Sequence, residues 1–581
     1  MPEYAIPGVY VSEQKYSLNP LKIDTRCLTA FAGISERGPI QEPVTVRSFD
    51  EYLRQFGGFD TAGALPFAVY NYFKCGGAEC MIVRVADPAT ARCASVDLKC
   101  LRGEARFEAQ SAGHWGNYLS CRVWHESESL LSPVSVDAAE GTWVEIPRGE
   151  LAKGDVIRIS AHGQAILRSI KATDGDRAYL SRPVKSLSRI NGAGEAPVKV
   201  ERVFCSISIT CKGKNETYVH LSANPSSDRY YVDYVNARSA LCSIRAELSA
   251  GIPQPVFSAV AGGGCDGIAE LSARDFIGSY DGPNLHSGIG SFESSDEVSL
   301  VAVPDAFWLL ALPGKDKRER AEEVFAIQAA LVAQADRFPG RFAVLDIPDG
   351  LDPIEALEWR KRFDSPHAAA YNPTSDLIQP LDPLGANTVR TPPSGAVCGC
   401  IVGTDGEKGV FHAPANVVIQ GAAGVSRMVT DGEFEMLYPQ GVNVLKYFPG
   451  KGIKIWGART LSSDQDWRYI NVRRTFSKIC SSLKRGTQWA VFEPNDRNLR
   501  KRLVRQVSGF LLDLWMGGYL SGSTAEQGFF VRCDDELNPP ENIDNGLLTF
   551  EVGIAIVRPT EFFTITITAE KEGASVYIED E

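Results

Sequence analysis

Three features of this sequence predict an α/β (α+β) chain of several domains, with an inserted β-rich module and extended terminal β-arms. Apolar runs of strand length alternate with segments of helical period on both sides of residue 200. Between residues 127 and 200 the texture changes to short alternating runs separated by Gly and Asp turns. Both ends carry short strand-forming pieces that cannot bury themselves in isolation. A length of 581 residues sets a soft expectation of about four domains.

Taken in order, residues 1–25 read as an extended arm, because Pro7-Gly8 interrupts the short run Val9-Tyr10-Val11 and Pro20 follows. Residues 26–126 read as the first part of a middle α/β domain. A strand is expected over 27–36, a short helix over 49–57 capped by Ser48 or Asp50, a helix over 66–77 stopped by Gly76-Gly77, and a buried strand over 80–87. Residues 127–200 form the inserted β-rich module. The middle domain resumes over 201–372, with a hairpin around Lys212-Gly213-Lys214-Asn215 and strands at 298–303 and 341–347. A helix of period 3.6 lies between those two strands. Gly, Pro and Asn crowd residues 372–396, which predicts a linker. A second α/β domain is expected over 373–568. It closes on a strand in which Phe563, Ile565 and Ile567 alternate with Thr564, Thr566 and Thr568. Residues 569–581, with the run Ala574, Ser575, Val576, Tyr577, Ile578, read as a C-terminal arm.

Composition excludes several classes of function. Lys+Arg is 60 against 72 Asp+Glu, a net charge of -12, the opposite balance to that of a bulk nucleic-acid binder. The most apolar stretch, 298–314, is broken by Pro304 and Asp305, so no membrane insertion is expected. The segment MPEYAIPGVYVSEQ has neither a basic nor an apolar signal region. Fourteen cysteines are scattered without a C-x-x-C, which predicts reduced thiols and no metal site.

One enzyme signature is present. Gly262, Gly264 and Gly267 satisfy G-x-G-x-x-G, with an apolar run before them and Asp281 downstream. The stretch after it is rich in Gly, Pro and Asn rather than a second strand, so a tight glycine turn is the plainer expectation, with no cofactor and no catalytic residue assigned. A nucleotide-binding oxidoreductase built on 255–281 is the alternative from another class. The seven histidines are dispersed, and no P-loop, H-E-x-x-H or G-x-S-x-G motif occurs.

Charge is more informative. Residues 468–505 hold eleven Lys or Arg against only Glu493 and Asp496. A helix starting after a cap at Asn495 or Asp496 and stopping at Gly517-Gly518 would put Leu499, Leu503, Val507, Phe510 and Leu514 on one face. Arg497, Lys501 and Arg505 fall on the opposite side with Arg502 flanking, a surface suited to an acidic partner.

Pieces running almost end to end carry a resemblance. They are AIPGVYVSE (5–13), AFAGISERGPI (30–40), SAGHWGN (111–117), LSANPSSDRYYVDYVN (221–236), GGGCDG (262–267) and PPSGAVCGCIVGTDGEKGVFHAPAN (392–416). GVNVLKYFPGKGIKIWGARTLSSDQDWRYINVRR (441–474), FEPN (492–495) and PTEFFTITI (559–567) complete the set. In this order the chain resembles the tail sheath proteins of contractile injection systems: phage tails, R-type bacteriocins and phage-tail-like particles. Residues 127–200 match least.

The resemblance implies a non-enzymatic sheath subunit that forms stacked hexameric rings around a rigid inner tube and contracts to drive the tube through a target envelope. Its implied partners are further copies of itself, the inner tube protein, and baseplate and terminal cap proteins, and it is assembled in the bacterial cytoplasm. Ile6, Pro7, Gly8, Val9, Tyr10 and Val11 would be the N-terminal arm, and Ala574 to Ile578 the C-terminal arm, exchanged between subunits. The C-terminal domain would face the tube, the inserted module would point outward, and charge logic assigns Arg497, Lys501, Arg502 and Arg505 to the tube contact. A shell or filament protein that does not contract is a further alternative.

Overall fold

A nine-stranded sheet forms the centre of the molecule, and its strands come from both halves of the chain. Their order is Pro43–Val46, Cys80–Arg84, Leu28–Gly33, Val298–Ala302, Phe342–Asp346, Ala368–Asn372, Val442–Phe448, Gly452–Trp456 and Val417–Val418. The computed structural model describes residues 21–561 apart from 131–134, 137–140, 146–149, 162–163, 185–198, 283–285, 313–315, 339 and 383–384, together with the backbone of 565–570 and 573–578. Six neighbouring strands, from Cys80–Arg84 to Val442–Phe448, run parallel, and antiparallel strands close both edges.

Parallel strands need both faces covered, which is why these segments read as continuous apolar runs. All residues of LTAFAG, CMIVR, VSLVA, FAVLD and AAAYN are buried. Alternate residues feed two cores. Ala30, Ala32 and Val301 pack on one side with Val324, Ile327 and Leu331 of the helix Lys317–Arg337. Phe31 and Leu300 pack on the other with Val69 and Tyr72 of Leu65–Lys74 and Val397 and Ile401 of Ser394–Lys408. The last two helices touch backbone to backbone. A Cβ on Gly395 would lie 2.4 Å from the Ala68 carbonyl oxygen, and one on Gly399 2.4 Å from that of Tyr72.

The β-rich module is inserted between Cys80–Arg84 and Val298–Ala302, the two strands flanking Leu28–Gly33. It is larger than the expected 127–200. A second nine-stranded sheet spans Ser120–Ser129 to Val256–Val260, beside a three-stranded sheet of Ser95–Lys99, Glu104–Ala109 and Cys242–Ala246. The 127–200 region does have its own small core around Val144, Ile157, Ile159 and Ala178. However, Ser120–Ser129 and Lys199–Cys211 run through both lobes as one ten-residue ladder, so pairing, not a linker, joins them.

The boundary expected at 373 does not divide two sheets. Val442–Phe448 pairs in parallel with Ala368–Asn372 and carries its hairpin partner Gly452–Trp456 into the same central sheet. A separate C-terminal core begins only with the helices Ile470–Gly486 and Arg497–Met516, around Ile479, Leu503, Val507, Phe510 and Leu514.

Candidate assembly surface: arm roots, an open ribbon and a basic helix

The two helices of the C-terminal core, here the inner helix (Ile470–Gly486) and the outer helix (Arg497–Met516), hold the first described residues, 21–26, where the expected N-terminal arm would be rooted. Ile6 to Val11 themselves lie outside the described residues. Where the description begins, Leu21 is buried among Ile479, Leu503, Val507 and Phe510. The Asp24 backbone N–H donates to Ser482 Oγ at 3.1 Å, its carboxylate pairs with Arg485, and Lys478 Nζ donates to the Arg26 carbonyl. Partial burial alone would raise the Asp24 carboxyl pKa, but the Arg26 N–H and the Arg485 guanidinium outweigh it and hold the pKa below its usual value.

Ala574 to Ile578, expected as a C-terminal arm, lie in a strand, Gly573–Ile578, paired antiparallel with Ile565–Glu570 of the same chain. The expected arm would be rooted at Glu561. That carboxylate accepts from Arg459 Nε at 3.0 Å, and also bonds Arg459 Nη2 and the Tyr438 hydroxyl. Arg459 is buried, and its bonds with those of Tyr438 keep the Glu561 pKa low against the opposing effect of burial. Arg459 donates its backbone N–H to Asn443 Oδ1 on the central sheet, so the root is tied to the rigid core.

The helix core also carries an element with little signal in the sequence. Phe529–Arg532 and Glu551–Ile554 form a two-stranded antiparallel ribbon, and among the described residues neither strand has a second strand partner. Phe529, Val531, Val552 and Ile554 pack on the helix core, so the ribbon has one buried face and two open edges. The alternation in FFVR and EVGI is the only signal that could have revealed it.

The outer helix follows its expected course. Asp496 caps it by accepting the Leu499 N–H at 2.7 Å, and Leu499, Leu503, Val507, Phe510 and Leu514 are buried. Arg497, Lys501, Arg502 and Arg505 are all exposed. Arg502 lies over the Trp489 ring at 4.5 Å and 3.8 Å from Glu493. Among the described residues Arg497, Lys501 and Arg505 make no ion pair.

The wider basic stretch at 468–505 is not one surface. Arg474 is buried against Asp405, with Nη1 to Oδ1 at 2.8 Å. Lys478 is buried on the arm root, Arg473 lies over the Trp467 ring, and Arg500 is buried against Asp535 at 2.7 Å.

The glycine signature is a clasp. Gly262 and Ser95 exchange backbone hydrogen bonds, Asn117 bonds both N–H and C=O of Gly264, and Asp266 accepts the His114 N–H at 2.8 Å. A Cβ on Gly264 would sit 2.4 Å from the Gly113 carbonyl oxygen. The glycines thus let GGGCDG close on SAGHWGN, and no helix starts on the turn to receive a pyrophosphate; the next is the five-residue Ala273–Ile277. The dinucleotide-loop alternative is therefore corrected. Among the described residues no His, Cys, Asp or Glu group is arranged to hold a metal ion, and no helix is long and apolar enough to cross a membrane.

Residues 302–461 match the family described as phage tail sheath protein central domain, and 462–570 the phage tail sheath C-terminal domain. The chain is 23% identical over 596 aligned positions to the tail sheath protein of Burkholderia phage BcepMu, covering 98% of this chain and 97% of that one. It is 28% identical over 261 residues to a prophage major tail sheath protein of Pseudomonas aeruginosa, covering 44% of this chain and 62% of that one, so this match spans less than two thirds of that relative. In fold it is similar to the contracted helical sheath of the anti-feeding prophage, with a TM-score of 0.52 at 20% identity over 98% of this chain and all of that one. The sheath tail protein of Desulfitobacterium hafniense gives a TM-score of 0.52 at 12% identity over 91% of this chain and 94% of that one.

Proposed function

We propose that this chain, a tail sheath protein and the structural subunit of a contractile sheath, polymerises as stacked hexameric rings around a rigid inner tube and contracts to drive that tube through a target envelope. It is a component of a phage tail or tail-like particle, assembled in the bacterial cytoplasm between baseplate and terminal cap proteins. Tail sheath proteins are structural, and no step of this mechanism calls for a catalytic group or cofactor.

The observation that carries the proposal is the open ribbon on the helix core that also holds Leu21, with the Glu561 root tied to the adjoining central sheet. Ile6 to Val11 of one neighbour and Ala574 to Ile578 of another add to the free edges of the ribbon, giving main-chain hydrogen bonds worth about 1 kcal/mol each. The roots at Asp24 and Glu561 are fixed by ion pairs, so a pull on an arm is passed to the helices and the central sheet instead of fraying the chain. Subunits then rotate as rigid bodies while the arms keep them connected.

Arg497, Lys501, Arg502 and Arg505 hold an acidic tube surface. Exposed charge contacts suit a grip that must later release, since they are screened over about 8–10 Å at physiological salt.

Electron microscopy of the purified protein, alone and with its tube protein, tests this. Long thin cylinders with tube and short wide ones without it are expected; monodisperse small particles in both would overturn the reading. Deleting residues 1–13 is expected to leave a folded subunit that no longer polymerises in order.

A further inference from the structure

The loop between the inner and outer helices, Thr487 to Asp496, presents one side chain entirely to solvent. Phe492 has a relative exposure of 103%, and its neighbour Val491 is 61% exposed. Phe492 also adopts φ 68°, the left-handed region that a bulky aromatic residue rarely occupies. An L-residue held there is strained, and an unburied ring recovers nothing through packing. The loop is nevertheless braced on both sides. Trp489 Nε1 donates to Gln506 Oε1 at 2.7 Å and its ring lies under Arg502. Asn495 Nδ2 donates to the Leu547 carbonyl at 3.0 Å, and Arg500 Nε donates to Asn495 Oδ1 at 3.3 Å. The Glu493 N–H donates to the Ala490 carbonyl at 3.3 Å, which closes the turn around Phe492. The fold thus holds an apolar ring outward on a fixed backbone, at a cost to its own stability.

The ring does not stand alone. Five residues later the outer helix begins, with Arg497, Lys501 and Arg505 exposed and unpaired among the described residues. Glu493, next to the ring in the chain, is 3.8 Å from Arg502, and an exposed aromatic a few residues from exposed cations that make no ion pair suits an interface anchor flanked by steering charges. We propose that Phe492 is the apolar anchor of the contact between this subunit and the inner tube. The matching surface on the tube protein is acidic and carries an apolar pocket that takes the phenyl ring. This inference rests on the reading of the outer helix as the tube contact. It adds a component of the grip that salt does not screen: charges guide the subunit onto the tube, and the buried ring sets how long it stays.

The test compares three variants for tube retention by the assembled sheath at low salt and at 0.5 M salt, where charge screening reaches only about 4–5 Å. Phe492→Asn removes the ring but keeps a residue that tolerates left-handed backbone. It is expected to lower tube retention at high salt about tenfold, with a melting temperature no lower than that of the parent. Phe492→Leu, which restores an apolar group, is expected to recover most of the retention. The triple reversal Arg497→Glu, Lys501→Glu, Arg505→Glu is expected to lose the tube at low salt as well. If the charge reversal has no effect on retention, the tube reading of the outer helix fails. If the reversal releases the tube but Phe492→Asn retains it like the parent at both salts, the anchor inference fails and the tube reading stands. If Phe492→Asn blocks tube-free polymerisation, the ring belongs to a contact between sheath copies and the proposal is overturned.

Discussion

The inner and outer helices are adjacent in the chain, similar in length and both rich in Arg and Lys, yet they use charge in opposite ways. On the inner helix three cations are consumed by the fold, with Arg474 sealed against Asp405 and Lys478 and Arg485 holding Arg26 and Asp24, while Lys484 stays exposed. On the outer helix only Arg500 is buried and paired; Arg497, Lys501, Arg502 and Arg505 face solvent. A count of basic residues cannot tell these apart, because helix charge becomes a surface only where no second layer covers it. The inner helix lies between the central sheet and the C-terminal core, with Ile470 in one and Ile479 in the other. The outer helix has a single apolar face.

The largest expected effect comes from breaking a charge on the covered helix. Arg474→Ala leaves Asp405 without its partner and should cost about 3–5 kcal/mol, read by denaturant unfolding. A loss under about 1 kcal/mol would mean that the inner helix is wetter than its burial implies.

The next test concerns a buried charge with no cation beside it. Asp346, at the end of a central strand, accepts the Ser394 N–H at 2.7 Å, and burial pushes its pKa up to about 7. Asp305, which accepts N–H groups of Ile34, Ala64 and Leu65, is raised to about 6 for the same reason. Both are raised above the unfolded value of 3.8, so the folded state binds the extra proton. The contribution of these groups is fully present below about pH 4 and is lost as pH rises through 6 and 7. Melting curves from pH 8 to pH 5 should show stability rising as pH falls, with a smaller rise in Asp346→Asn. An unchanged slope in that variant would remove Asp346 from the titration.

The smallest effect is expected on the uncovered helix. Replacing Arg497, Lys501 and Arg505 with Ala should leave unfolding free energy within about 0.5 kcal/mol of the parent. A larger loss would show that these side chains support the fold and are not reserved for a partner.

Much of this architecture was legible in the residues. Burial on both faces writes a parallel strand as an unbroken apolar run, which is why VSLVAV and RFAVLDI stood out. The outer helix was legible from its cap at Asp496 and its five apolar positions. The boundary at 373 was misplaced because Ala368–Asn372 pairs with Val442–Phe448, about seventy residues on, and a parallel pairing leaves no local mark. The glycine turn at 262–267 looked like a phosphate loop because glycine records only that backbone comes close, not what it approaches.

The strands and helices, the caps, the clustering of positive charge and the likeness to tail sheaths are all readable along the chain, because they rest on near neighbours and on residue order. Which cations are enclosed and which remain outside, where the inserted module joins, and that Phe492 faces solvent emerge only once the chain is folded. Those properties depend on what packs over a residue, and for the inner helix the covering groups include Leu21 and Asp405, far from it along the chain.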